Sequence, residues 1–570
     1  MNGGYKEKLS RQIEKNYLKL EERIMQDIIR RIRKAGEITS TADYQINRLI
    51  ILGNSSEDVE NMIKEALGAT YPEMFELYDK VINWEYVRNK DIYEQINQKF
   101  IPYEENDQLK QLTEGYIRQT QGELENITQS LGFYLDYGNG KRVLTPLSQV
   151  YQGYLDAAML DITSGAFDYN SVLRRVVTQL TNGGLRTIDY ASGHSNRVEV
   201  AARRAVMTGI SQLSGRISEI NAEKLGTEYF EVAWHAGARP SHAEWQGRVY
   251  SKADLYRICG LGTVTGLLGV NCYHEYYPFF PGLSERNWSE QWLEEKDLEE
   301  NTPKKFNGKE YTLYEAKQRQ RKMETAMRAQ REKVELLKKG GADPDEVMLA
   351  KCKYQAQLDE YARFSKKMGL KQERERIYMD MRGRIAPADK SVMNYFPKEM
   401  IINAGKDIKE YERYKKVLGD EVGPLANFGK IKYNDAKQWE FMQLDYQRRR
   451  ELQEHPGLKL PNAEDAILPD GKFTQYLFAG NNEKGLAKGR AFTSRLGYSV
   501  DNWKELQDEI RKKAPQYPSI YKDNNGYGNR YEQKIILYGE KGTPANVIVG
   551  WLNTPDGSTV MTSAYIKEVK

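Results

Sequence analysis

Apolar side chains recur at Leu9, Ile13, Tyr17, Leu20, Ile24, Ile28 and Ile32, in steps of three and four. That spacing stacks them on one face and predicts an amphipathic helix over residues 5–34, about eight turns at 3.6 residues each. Gly36 supplies its stop, and Ser40 or Thr41 can cap a second helix running through Leu52. Gly53, with Ser55 and then Asp58 three residues on, repeats the stop-and-start signal, and helical patterning continues to about Leu180. Residues 1–185 therefore read as a helical domain.

Between Gly183 and Gly282 the texture changes. Glycine and proline become frequent, a helix from about Asn196 to Leu225 leads into a strand-like Tyr229–Trp234, and irregular aromatic-rich segments follow. Residues 186–285 read as a small α+β domain. After Trp288 the text is strongly charged, and Leu313, Ala316, Gln320, Met323, Met327, Gln330, Val334 and Leu337 form a heptad seam with two polar interruptions. Such a seam packs on a neighbouring helix or pairs with a second copy as a coiled coil. Gly340-Gly341 ends it, and residues 286–459 read as a charged helical connector.

From about Leu460 the elements shorten. A strand-like Lys472–Phe478 precedes a helix carrying Phe492 and Leu496, stopped by Gly497, and a second helix marked by Trp503, Leu506 and Ile510. Strands are expected at Lys534–Tyr538, Ala545–Asn553 and Thr559–Val569, with turn chemistry at Gly539-Glu540-Lys541-Gly542 and Thr554-Pro555-Asp556-Gly557 between them. Residues 460–570 thus read as an α+β domain built on a three-stranded antiparallel meander. The expected fold class is multidomain, mainly α in the N-terminal and connecting regions, with a small α+β centre and an α+β C-terminus.

Composition narrows the functions open to such a chain. Over 570 residues, 85 basic and 81 acidic side chains leave a net charge of only +4, which excludes an electrostatic glove for nucleic acid. The length suggests roughly three or four folded units. No apolar run approaches the roughly 18 residues of a membrane span, and the first residues carry no export signal, so synthesis in a cytoplasm is expected. Three cysteines fit a reducing compartment rather than a disulfide framework. Between Met1 and Lys34, 10 Lys and Arg face 5 Asp and Glu. That basic face is either solvated or a surface for an acidic partner or packaged DNA.

The candidate chemistry is concentrated. Six of the eight histidines and cysteines, His194, His235, His242, Cys259, Cys272 and His274, fall between His194 and His274, where even scattering would put about one. Zinc takes four ligands at about 2 Å, and Cys272 and His274, two apart on an extended segment, point to the same side. His235, His242 and Cys259 can complete a tetrahedral set, which makes a structural zinc the candidate cofactor. The competing reading is a small aromatic core in which each histidine is satisfied by a backbone carbonyl and each cysteine acts as a small hydrophobe.

No catalytic residue can be assigned. Ser241, after Pro240, sits where a helix cap belongs, and a pairing of Cys272 with His242 lacks anything that marks an acyl-transfer site. No phosphate-cradling glycine loop stands in a strand-to-helix setting. No histidine follows His455, so the tail cannot build a histidine-based ribonuclease from its own residues. A phosphate site there would draw on Lys488, Arg490, Arg495, Arg530 and Lys534, with Tyr527, Thr562 or Ser563 for polar work. The same basic residues also read as a solvated helix face.

The run Arg30-Arg31-Ile32-Arg33-Lys34-Ala35-Gly36-Glu37-Ile38-Thr39-Ser40-Thr41-Ala42-Asp43-Tyr44-Gln45-Ile46 resembles the opening domain of the phage minor capsid protein 2 family. The segment His235-Ala236-Gly237-Ala238-Arg239-Pro240-Ser241-His242-Ala243-Glu244-Trp245-Gln246-Gly247, followed by Gly269-Val270-Asn271-Cys272-Tyr273-His274 and Tyr277-Pro278-Phe279, is similar to that family. It also resembles the head-morphogenesis domain of phage Mu protein F, which usually closes on Cys-Arg-Cys where this chain has Cys272-Tyr273-His274. The resemblance implies a minor head protein of a tailed bacteriophage, carried in the virion at the portal or capsid interior. Its implied partners are portal and capsid proteins, with packaged DNA as a further one and an oligomer formed on assembly. Leu460-Pro461-Asn462-Ala463, Lys472-Phe473-Thr474-Gln475-Tyr476-Leu477, the glycine-, lysine- and arginine-bearing text around Lys488 to Gly497, Asp501-Asn502-Trp503 and Thr554-Pro555-Asp556-Gly557 resemble a small uncharacterised domain appended to phage head proteins and polymorphic toxins. That implies an alternative role, a virion-carried effector acting on host nucleic acid.

Overall fold

In the computed structural model the described residues are 3–38, 53, 55–95, 98–164, 167–188, 194–540 and 543–568. The cap expected at Ser40 or Thr41, the helix through Leu52, and the turn residues Lys541 and Gly542 lie outside them. The chain divides into two compact units, Met1–Pro387 and Ala388–Lys570, and the stretch 286–459 is shared between them.

The first unit is wound around helix α1 (Gly3–Gly36). Ile13, Tyr17, Leu20, Ile24, Ile28 and Ile32 are all buried, as the spacing requires. Helices α2 (Ser55–Glu85), α4 (Tyr169–Gly183) and α5 (Val198–Leu225) pack on α1, and α3 (Asp107–Gln129) packs on α2 and α5. With neighbours on several sides, α1 buries Glu14, Glu21, Asp27 and Arg31 as well. Much of its basic face is therefore taken up inside the chain: Arg31 reaches Asp27 and Asp58, each at 2.8 Å, Arg11 reaches Glu375 at 3.2 Å, and Arg23 pairs with Glu65.

A small antiparallel sheet interrupts the region that reads as wholly helical. Strands β1 (Leu131–Asp136), β2 (Arg142–Pro146), β3 (Arg186–Ile188) and β4 (Ser195–Arg197) run in the order β2-β1-β3-β4. Leu131, Phe133 and Leu135 alternate inward, and Gly132 is needed because a Cβ there would collide with the Thr145 carbonyl.

The heptad seam lies on α6 (Leu313–Lys339), which a Thr312–Glu315 capping box starts and which folds back as an antiparallel pair with α7 (Pro344–Met368). Ala316, Gln320, Met323, Met327, Gln330, Val334 and Leu337 are buried against α7, α4 and α1. The seam thus packs on neighbours within the chain, not on a second copy. Its two polar positions are satisfied internally: Gln320 donates to Ser365 Oγ at 3.1 Å and to the Lys371 carbonyl at 2.9 Å, and Gln330 donates to the Ala350 carbonyl at 2.9 Å.

Between α5 and α6 sits the central module. Strands β5 (Tyr229–Val232), β6 (Val249–Ser251) and β7 (Tyr276–Phe279) form an antiparallel sheet in the order β6-β5-β7. Phe230, Val232, Trp245, Leu255, Leu267, Leu268 and Tyr276 close a small core with Ala222 at the end of α5. Tyr276 donates its hydroxyl to the Gly215 carbonyl of α5 at 3.2 Å, so the module is pinned to that helix.

The second unit holds α8 (Lys398–Leu418), α9 (Ala436–Glu454), α10 (Glu483–Leu496) and α11 (Trp503–Lys513). Its sheet corrects the expected meander: β8 (Ser519–Asn524), β9 (Asn529–Leu537), β10 (Ala545–Asn553) and β11 (Thr559–Ile566) make four antiparallel strands, not three. β8 is an edge strand that buries Ser519 and exposes the rest, so it has no inward hydrophobic alternation. Lys472–Phe478 is a wide helical turn, not a strand. Phe473 and Leu477, four apart, are its buried residues, and Gly485 and Gly489 of α10 lie so close to the Tyr476 and Leu477 carbonyls that a Cβ at either would collide. Phe441 of α9 joins Leu460, Leu496, Ile510, Val549 and Trp551 in one core, so this domain's packing begins upstream of Leu460.

Candidate metal centre

Three residues of the central module bring ligand-type atoms together. Pro240 opens a short helix, Pro240–Ala243, its fixed φ suited to a first turn, and His242 stands on that helix. Cys272 and His274 come from the segment that leads into β7. Between them the chain folds back through the glycine-rich stretch 260–269, with Leu268 and Asn271 held at φ of 59° and 56°. Those are left-handed values that non-glycine residues adopt at a cost. The buried Leu268 side chain, set against Gly215, offsets that cost. Arg239 clamps the same stretch by donating to the Val270 carbonyl at 2.7 Å.

His242, Cys272 and His274 are 1%, 8% and 1% exposed. His242 Nδ1 and His274 Nδ1 are 3.3 Å apart, Cys272 Sγ is 3.5 Å from His274 Nδ1, and the three ligand atoms all lie within 4.8 Å of one another. The far side of each ring is fixed. His242 Nε2 is 2.8 Å from the Thr265 carbonyl, which can only accept, so that nitrogen carries the hydrogen. Gln246 Oε1 accepts the His235 backbone N–H at 3.1 Å and stands 2.9 Å from His274 Nε2, so His274 also donates from Nε2. Burial pushes the pKa of both rings down, that of His274 well down, aided by the neighbouring His235, and both are neutral near pH 7. Their Nδ1 lone pairs face one another and the cysteine sulfur. Trp245 walls the group, its ring 4.5 Å from that of His242 and 4.8 Å from that of His274.

The other two candidates from the sequence are placed differently. His235 sets its ring against that of His274, centroids 4.2 Å apart and planes tilted by 39°, with its Nδ1 3.5 Å from the Ala236 carbonyl; burial lowers its pKa to about 4. Cys259 is buried among apolar side chains, and burial, with Asp254 and Cys272 nearby, pushes its thiol up to about 12, as for an inert core cysteine. Gln246 and Thr265, which set the tautomers, escape a reading by residue type: Thr265 acts through its backbone carbonyl, and Gln246 is noticeable only as the residue four after His242.

This stretch lies inside a longer match. A model of the phage minor capsid protein 2 family matches residues 1–363, more than half the chain. The chain belongs to that family. A phage structural role and a place in the virion follow from membership. A "Structural protein" of Lactococcus phage LL-H is 24% identical over 271 residues, 44% of this chain and 70% of that protein. No solved structure matches. Among the described residues of this minor capsid family member, no helix is long and apolar enough to cross a membrane.

Residues 459–568 match a domain of unknown function (DUF6883). The basic residues proposed there for phosphate are spread over α10 and β9. Lys488 Nζ stands over the rings of Tyr476 and Tyr565, 5.5 and 5.2 Å from their centroids, and Arg530 is held by Asp523 at 2.5 Å. Arg490 and Lys534 are exposed and Arg495 is half-buried. The Lys534 carbonyl accepts from Arg448 of α9 at 3.1 Å.

Proposed function

We propose that the chain is a minor head protein that docks through its first unit on the portal and inner shell of a tailed-phage head, several copies assembling there. The observation that carries this reading is that the family match over residues 1–363 falls on one folded body, Met1–Pro387, with α1 at its centre. Its central module turns large apolar side chains to solvent at Tyr256, Ile258, Val264 and Leu283, the last two 73% and 87% exposed. Such side chains are what a protein partner covers on assembly. The test is to follow the chain through purification of virions and of heads lacking tails. It is expected in both, and Val264→Asp combined with Leu283→Asp is expected to lower incorporation about tenfold or more while leaving the chain folded. Absence from virions, or recovery only with tails, contradicts the reading.

A further inference from the structure

Two imidazoles with their hydrogens committed outward, to Thr265 and Gln246, leave two buried nitrogen lone pairs 3.3 Å apart with a sulfur 3.5 Å from one of them. A thiol proton on Cys272 can satisfy one of those nitrogens, not both. A cation at the focus takes both nitrogen lone pairs at once, with the sulfur beside them as a third donor. Two of the three spacings also have the right size: with Zn–N about 2.0–2.1 Å and Zn–S about 2.3 Å, a tetrahedral site sets its nitrogens about 3.3–3.4 Å apart and nitrogen to sulfur about 3.5–3.6 Å. The third pair, His242 Nδ1 and Cys272 Sγ, lies within 4.8 Å and closes on the ion by a small shift of the thiol. Zinc-bound histidines typically donate their second N–H to a carbonyl or carboxylate, which fixes the ring. Here Thr265 and Gln246 play that part.

We propose that His242 Nδ1, His274 Nδ1 and Cys272 Sγ are three ligands of a zinc ion, with water or a small anion as the fourth. Two imidazoles and a thiolate are borderline-to-soft donors that suit zinc over magnesium or calcium. Binding deprotonates Cys272, its proton passing to solvent as the Zn–S bond forms. The ion ties the short helix at Pro240–Ala243 to the strand entrance at His274 and closes the stretch between them, so its role is to order the module. His235 and Cys259 are not ligands: the first supports His274 by ring contact, the second fills the core. This inference stands apart from the docking reading. A zinc-bearing chain absent from virions overturns only the docking, and a folded, zinc-free chain inside virions overturns only the metal.

The test uses the full chain, exposed to excess Zn²⁺, desalted and assayed for metal. About one zinc per chain is expected, and replacement by Co²⁺ should give a thiolate-to-cobalt charge-transfer band with tetrahedral visible absorption. Cys272→Ser should abolish that band, and Gln246→Leu, which touches no metal, should weaken affinity by about 10–100-fold. Cys259→Ser and His235→Phe should retain the full metal content. If Cys272→Ser fails to fold, the cobalt spectrum of the unaltered chain still decides. A folded chain that holds no zinc, a cobalt complex without a thiolate band, or loss of metal in Cys259→Ser overturns the assignment.

Discussion

The central module and the second unit each bury a cluster of polar side chains, and the two clusters are built on opposite principles. In the second unit Asp445, fully buried on α9, accepts from Arg449 at 2.8 Å, from the Tyr538 hydroxyl at 3.0 Å and from the Tyr517 hydroxyl. Arg449 also donates to Gln516 at 2.6 Å and pairs with Glu421, which holds Lys513 at 2.6 Å. Two carboxylates face two cations, and the donors meet acceptors inside the cluster. In the central module two imidazole lone pairs and a thiol converge and the ring N–H groups point away. A buried cluster that balances its charges and hydrogen bonds closes on itself, whereas one that gathers lone pairs calls for a cation. The contrast separates a clamp made of side chains from the clamp that the proposed zinc would make.

The strongest way to break that contrast is to remove the metal. Chelation of the full chain at neutral pH is expected to strip hydrogen-exchange protection from residues 240–274, at a cost of about 5 kcal/mol or more, while β9–β11 keep theirs; equal protection before and after contradicts it. Next, Asp445→Ala removes one of the two carboxylates that balance Arg449 and Lys513, together with the acceptor of the Tyr517 and Tyr538 hydroxyls. It should lower the stability of the second unit by about 3–5 kcal/mol, read as exchange from β9–β11, with zinc content unchanged.

A third buried site sharpens the comparison. Glu332 pairs with Arg382 at 2.7 Å, yet burial outweighs that partner and pushes its pKa up to about 7. The folded chain then binds a proton that the unfolded chain, with its carboxyl near 4.5, has released. This group's contribution to stability is therefore full at low pH and falls as pH rises from about 4.5 to about 7, by up to about 3 kcal/mol. Glu332→Gln should flatten that slope in a denaturant titration across pH; an unchanged slope contradicts it. The smallest effect is expected at Ser251, whose hydroxyl accepts the Asp254 N–H at 3.2 Å and caps the helix Lys252–Arg257. Ser251→Ala should cost about 1 kcal/mol, seen as a small fall in the module's melting temperature with metal retained.

Periodicity made much of the fold legible. The stripe on α1 and the seam on α6 were plain because burial repeats at the spacing of the element, and Ala545–Asn553 because an apolar run bounded by turn residues reads as a strand buried on both faces. Lys472–Phe478 misleads because its aromatic content reads as a strand, while the feature that makes it helical, the close approach of Gly485 and Gly489, lies a helix away. β8 is hidden because edge pairing through backbone groups needs no apolar alternation. The attachment of α9 to the C-terminal core is made by a few side chains, Phe441, Asp445, Arg448 and Arg449 among them, whose partners lie far along the chain and leave no periodic signal. At the candidate site, composition picks out His242, Cys272 and His274. It cannot tell them from His235 and Cys259, because what distinguishes them is the direction of each ring and thiol, set by a backbone carbonyl and a glutamine.

The most direct test of the account is X-ray absorption at the zinc edge on the purified full chain. The prediction is a first shell with about two nitrogens near 2.0–2.1 Å from imidazole and about one sulfur near 2.3 Å, the sulfur being lost in Cys272→Ser and kept in Cys259→Ser. A folded chain with no zinc edge, or a shell of oxygen atoms alone, contradicts it.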